Sequence, residues 1–103
     1  MNANEYQSFC LSIRMESADE QYAKENLVGE VGELFSLMAK ARRDGRKPDF
    51  DMNVKKELGD IMWSVDIIAF DNGWTLQDII DGNYNKLSSR VARGVLQGSG
   101  DNR

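Results

Sequence analysis

Between Leu27 and Met38 the apolar residues Leu27, Val28, Val31, Leu34, Phe35 and Met38 recur at spacings of three and four, which is one face of an α-helix. The same spacing returns in Tyr6, Phe9, Cys10 and Ile13, within a first segment from about Asn4 to Met15. It returns again in Val54, Leu58 and Val65, and in Leu76, Ile79, Ile80, Leu87 and Val91. No stretch shows the period-two alternation of a half-buried strand. The second segment runs from about Asp19 to Arg43, with Lys40, Arg42 and Arg43 in its last turn, where cations suit the helix dipole. The breaker-rich run Asp44-Gly45-Arg46-Lys47-Pro48-Asp49 follows and holds the only proline. A third helix is predicted from Asp51, as N-cap, to the neighbourhood of Asp71-Asn72-Gly73. The fourth opens on Thr75 with Asp78 three residues on, a capping-box variant, and reaches about Arg93. Gly94 to Arg103 is glycine-rich and polar and reads as a flexible tail. Four helices with short connections predict an all-α, four-helix module forming a single domain over residues 1–103.

Charge and composition narrow the chemistry. The net charge of −4 argues against a surface for a nucleic-acid polymer, which requires a basic excess. It leaves small anions open, because a bound metal can reverse the sign of a site. There is no histidine, so the commonest zinc ligand and the commonest general base are both missing. Hydrolytic chemistry in this chain must rest on carboxylates, lysines or a hard metal. The single cysteine, Cys10, cannot form an intrachain disulfide; it reads as a small core residue in a reducing, cytoplasmic setting. No apolar run approaches a membrane span and no secretory leader pattern is present. A chain this short buries a limited core, which favours pairing with another copy.

Two pairs of acids stand out. Glu30 and Glu33 lie three apart on the second helix, and Glu57 and Asp60 lie three apart on the third, so each pair shares one helix face. At about 100° per residue, Glu30 lies roughly 80–100° to one side of the stripe centred on Val31 and Leu34, and Glu33 some 60° further. Glu57 and Asp60 lie at nearly the same offsets from the stripe of Val54, Leu58 and Val65. If the two helices pack antiparallel along their stripes, the acids converge at one edge of the seam. Trp63, Ile67 and Phe70 form a second apolar strip almost opposite the first, so the third helix is apolar on two faces and suited to a subunit interface. Clustered carboxylates beside such surfaces repel one another and shift in pKa. Mg²⁺, a hard ion that prefers carboxylate oxygen, relieves this. Any one such pair is commonly a solvated surface feature; two pairs matched in offset are a stronger signal.

These residues resemble the signature of the MazG-like nucleotide pyrophosphohydrolases: Glu-x-x-Glu, a gap, then Glu-x-x-Asp. The chain reads Glu30-Val31-Gly32-Glu33 and Glu57-Leu58-Gly59-Asp60, with 23 residues between. The word continues through Ile61-Met62-Trp63, and Asn83-x-x-Lys86-Leu87-x-x-Arg90 followed by Gly94 is similar to the family's fourth helix. The likeness covers most of the chain from Glu25 onward. It implies a four-helix module assembled as a dimer or a dimer of dimers. It also implies Mg²⁺-dependent hydrolysis (Mn²⁺ a possible substitute) of nucleoside or deoxynucleoside triphosphates to monophosphate and pyrophosphate, in the service of clearing surplus or aberrant nucleotides. By the same resemblance Glu30, Glu33, Glu57 and Asp60 bind metal, Lys86 and Arg90 meet phosphates, and Asn83 lies near the substrate. Glu33 and Glu57 are the candidate catalytic acids. Trp63 has two readings, stacking on a nucleobase or packing in an interface, and Trp74 reads as a packing plug.

Two other readings stay open. Within the wider fold group the substrate is phosphoribosyl-ATP or dUTP. Outside enzymology the chain is a helical dimerisation module whose acids are surface charge.

Overall fold

The computed structural model describes residues 1–103 as four helices and no strand: α1 Ala3–Ile13, α2 Glu20–Asp44, α3 Phe50–Asp71 and α4 Leu76–Ala92. Side chains cap three of the four. Asn2 accepts from Glu5 N (2.9 Å) and Asp19 from Tyr22 N (2.8 Å). Thr75 and Asp78 form the expected reciprocal box, at 3.0 and 2.9 Å. α3 differs from expectation: it begins one residue before Asp51, its N-cap is Asp49, and no side chain caps it. Asp51 instead lies in the first turn, where an acid still favours the dipole. Gly45 (φ 87°) and Gly73 (φ 84°) end α2 and α3 in a left-handed backbone that a side chain would resist.

Helices α2 and α3 pack along their length as an antiparallel hairpin, and α1 and α4 each pack on α3 and on one another. α4 does not pack on α2. The core is small: Cys10, Ala23 and Ile67, with Tyr6, Leu11, Trp63 and Ile68 against it. Cys10 is therefore the core residue that its type suggests. Ile67 is fully buried at this junction of α1, α2 and α3. The second apolar strip of α3 thus serves the chain's own core at Ile67, and only Phe70 of that strip is exposed.

Polar bonds tie the helices together around this core. Arg14 forms a bidentate pair with Asp71 at 2.7 and 2.9 Å and also donates to Ala18 O. Asn26 of α2 donates to the buried Ser64 of α3 at 3.0 Å. Gln7 Nε2 donates to Asp66 at 3.0 Å and to the Trp74 carbonyl at 3.4 Å. The Trp74 side chain is 53% exposed, so it plugs nothing within this chain. Its backbone is held by Gln7 and by a bond from Trp74 N to Ala69 O.

The molecule is open for its length. Its radius of gyration is 16.6 Å, against roughly 13 Å for a compact domain of this size. Nine of 103 residues are buried, while Val28 and Phe35 on α2 and Tyr84 and Val91 on α4 are more than half exposed. No helix is long and apolar enough to cross a membrane.

Asp66 gives the fold a pH signature. It is fully buried, and its Oδ2 has no partner. Burial pushes its carboxyl above the usual range, against hydrogen bonds from Gln7 and Cys10 that act the other way. The folded chain therefore holds this proton to higher pH than the unfolded chain does. Stability from Asp66 is present below the ordinary carboxylate range and is lost as pH rises through the raised value. Asp66→Asn should gain on the wild type as pH rises from 4 to 7, by about 4–8 °C in melting temperature for each ~1 kcal/mol of relief. A difference between the two proteins that stays constant with pH, measured by thermal melts, would contradict this account.

Candidate metal and phosphate site

The α2–α3 hairpin brings Glu30, Glu33 and Glu57 together: one carboxylate oxygen from each lies within 4.8 Å of the others. The matched offsets of the two stripes predicted convergence of all four acids, and three of them meet. Asp60, one turn beyond Glu57, is exposed and stands outside this trio. Its charge is nonetheless felt at Glu57. Glu30 and Glu57 are half-buried and Glu33 is exposed, so the cluster opens to solvent on the Glu33 side.

Glu30 Oε2 and Glu57 Oε2 are shielded from water and have no hydrogen-bond donor. The Glu57 carboxyl titrates above its usual range. The facing Glu30 carboxyl is the first cause, followed by desolvation and by the charges of Glu30 and Asp60, while Glu33 acts in the opposite sense. Two acceptors that face each other without a donor require either a shared proton or a cation between them. A hard divalent ion fits this donor set, which is all oxygen, clustered and open on one side for water.

The α4 candidates have a different partner. Lys86 and Arg90, one turn apart, converge on a single acceptor residue, Asp101. Arg90 is 5% exposed, and its Nε is buried without a partner. Asn83 is exposed. No hydrogen bond or ion pair joins the α4 cations to the α2–α3 acids within the chain. Trp63 is half-buried and packs on the core cluster. Asp101 is the residue that sequence reasoning missed: it lies in the tail, 11 and 15 residues from its two partners, and no helical spacing connects them.

The family model described as the MazG nucleotide pyrophosphohydrolase domain matches residues 18–94, a span containing both acid pairs and the α4 cations. The gene 37 protein of Mycobacterium phage L5 is 42% identical over 85 residues, covering 80% of this chain and 75% of that protein. No solved structure matches.

If a cation fills the trio, Mg²⁺ should raise the melting temperature of the wild type. At a hundred times its dissociation constant the gain is about 2.7 kcal/mol. Glu57→Gln removes one repelling charge, so it should melt higher than the wild type without metal and respond little to Mg²⁺. A wild-type melting temperature indifferent to Mg²⁺ and Mn²⁺ alike would remove the metal reading.

Proposed function

The chain belongs to the MazG nucleotide pyrophosphohydrolase family, and from that premise we propose that it hydrolyses nucleoside or deoxynucleoside triphosphates to monophosphate and pyrophosphate with Mg²⁺. One observation carries the reading: three carboxylates within 4.8 Å, two of them with buried oxygens that lack any donor. A merely solvated acidic face would leave those oxygens in water. This favours an enzyme over a dimerisation module.

In this proposal Glu30, Glu33, Glu57 and Asp60 hold the metal. When bound, the ion supplies Lewis-acid stabilisation of phosphate charge and lowers the pKa of a bound water. Hydrolysis forms a bond from the water oxygen to phosphorus and breaks the bridging bond between the α- and β-phosphates. The water's proton needs an acceptor, and the chain has no histidine. Glu33, the exposed member of the trio, is the acid we assign to it, with Glu57 holding the opposite side of the cluster. Lys86 and Arg90 present donors one helical turn apart to the pyrophosphate as its charge builds. Asn83 lies one turn before Lys86 on α4 and contributes a polar contact. Trp63 supports the core and offers its exposed part to the base.

No hydrogen bond or ion pair joins the acids to the cations within one chain, and apolar side chains on α2 and α4 are exposed. We therefore assign a homodimer or a dimer of dimers as the working form. A role in clearing surplus or aberrant nucleotides in a cytoplasmic setting follows the same reading.

The test is pyrophosphate release with Mg²⁺ across the ribo- and deoxyribonucleoside triphosphates, with phosphoribosyl-ATP included. Glu57→Ala should lower kcat/KM by at least about a hundredfold, the loss of ~2.7 kcal/mol of transition-state stabilisation. Cleavage confined to phosphoribosyl-ATP or dUTP would move the chain to the other branches of the fold group. No cleavage of any of them, with either metal, would falsify the enzymatic reading.

A further inference from the structure

The tail from Val95 to Arg103 is built as one piece. The Arg103 guanidinium donates to three carbonyls, Val95 O (3.0 Å), Leu96 O (2.9 Å) and Gly100 O, closing the segment around itself. Arg93, at the end of α4, donates to Arg103 O at 2.8 Å and fastens the piece to the helix. The approach is close: a Cβ at Gly98 would lie 2.8 Å from Arg103 Cδ. Gly100, at φ 82°, takes the left-handed turn that delivers the next residue, Asp101.

Asp101 lands on the α4 cations. Its Oδ1 lies 3.4 Å from Lys86 Nζ and 3.3 Å from Arg90 Nη2, and its carbonyl accepts from Arg90 Nη2 at 2.7 Å. The two partners are unlike: Arg90 is almost fully buried, whereas the Asp101 side chain is 83% exposed. The cation is thus the fixed half of the contact and the acid the removable half. Arg90 also keeps an unfilled donor, its Nε, which Asp101 does not reach. A single carboxylate and one carbonyl use only part of the donor capacity assembled here. Arg90 first and Lys86 second hold the Asp101 carboxyl below the usual range.

We propose that the tail is a self-blocking latch, in which Asp101 stands in for a phosphate on Lys86 and Arg90 and must be displaced before a polyphosphate binds. This rests on the assignment of Lys86 and Arg90 to phosphate. Displacement is easy in both respects that matter. The pair of Asp101 with Lys86 is exposed at both ends and contributes little, and a polyphosphate brings more charge and more oxygens to the same donors. The Arg103-centred frame need not unfold: opening breaks the bond from Arg93 to Arg103 O and the Asp101 contacts, while the three carbonyl bonds of the Arg103 guanidinium are internal to the segment. Substrate then selects the open form, and the closed fraction lowers its apparent affinity.

The experiment is a calorimetric titration of the full chain with inorganic pyrophosphate in the presence of Mg²⁺, on the wild type, Asp101→Ala, Asp101→Asn and Lys86→Ala. Asp81→Asn, which removes one α4 acid away from the contact, controls for net charge. Amide NMR signals of Gly98 and Gly100 are followed in parallel. The latch predicts about 3–10-fold tighter binding in both Asp101 variants, a smaller change in Asp81→Asn, and Gly98 and Gly100 signals that move in the wild type as pyrophosphate saturates. In turnover the gain falls on KM and leaves kcat unchanged. Asp101 variants that bind no tighter than Asp81→Asn, with tail signals unmoved, overturn the latch and leave the phosphate assignment standing. Pyrophosphate that binds Lys86→Ala as well as it binds the wild type, or that binds none of the proteins, overturns the assignment and the latch together.

Discussion

Like charges do not gather unaided, and Glu30, Glu33 and Glu57 are held within 4.8 Å of each other by the packing of α2 on α3. The hairpin does this with few fully buried side chains. Ala23 and Ile67 lie at its closed core beside Cys10, and Asn26 is bonded to the buried Ser64. The bond between Asn26 and Ser64 is one turn from the acids on each helix, since Asn26 precedes Glu30 by four and Ser64 follows Asp60 by four. Ser64 Oγ also reaches back to the Asp60 carbonyl at 3.4 Å. The register of the seam, and with it the spacing of the carboxylates, is therefore fixed by a polar pin beside the cluster as well as by apolar contact.

The helix faces on which the acids meet could be read ahead of the structure because they depend on periodicity, whereas the register that leaves Asp60 outside the trio could not. Two helices whose acids sit at equal angles from their stripes, joined by a short breaker-rich turn, have one way to pack both stripes. The convergence of Glu30, Glu33 and Glu57 follows. The capping box at Thr75 and Asp78 was legible for the same reason: its chemistry is local. What periodicity cannot carry is the choice between equivalent neighbours and the path of a segment without a period. Asp49 and Asp51 are alike as caps on paper, and the turn at Lys47 to Phe50 decides for Asp49. The strip of Trp63, Ile67 and Phe70 is apolar whichever partner it meets, and α1 rather than a second chain buries Ile67. Trp74 looked like a plug by size, but its position after Gly73 turns the side chain outward. Asp101 reaches Lys86 and Arg90 through glycine turns and a web of Arg103 bonds, none of which has a sequence period.

The open shape follows from where the apolar residues lie. α2 turns Val31 and Leu34 toward α3 and leaves Val28 and Phe35 outside, so its stripe is wider than one neighbour can cover. A stripe of about three residues in seven is satisfied by a bundle, not by a hairpin. The same geometry leaves α4 against α1 and α3 and out of contact with α2, so it covers none of the apolar surface of α2.

Several features lower the stability of the bare chain, and they fall where binding occurs. Glu57 faces Glu30 without a donor, Arg90 keeps a buried Nε unsatisfied, and Asp66 buries a carboxyl with one free oxygen. The first two adjoin the groups assigned to metal and phosphate, so anything bound there gives a missing partner to an atom that lacks one. Because such ligands bind the native chain and not the unfolded one, each ties folding to binding. Asp66 is different, since it lies inside the α1–α3 junction with Gln7 and Cys10 and faces no open site. Its unfilled oxygen is relieved by a proton rather than by a ligand, so Asp66 responds to acid alone, whereas the Glu57 seam responds to acid or to metal. The two responses are separable because the residues share no hydrogen bond and lie two and a half turns apart on one helix.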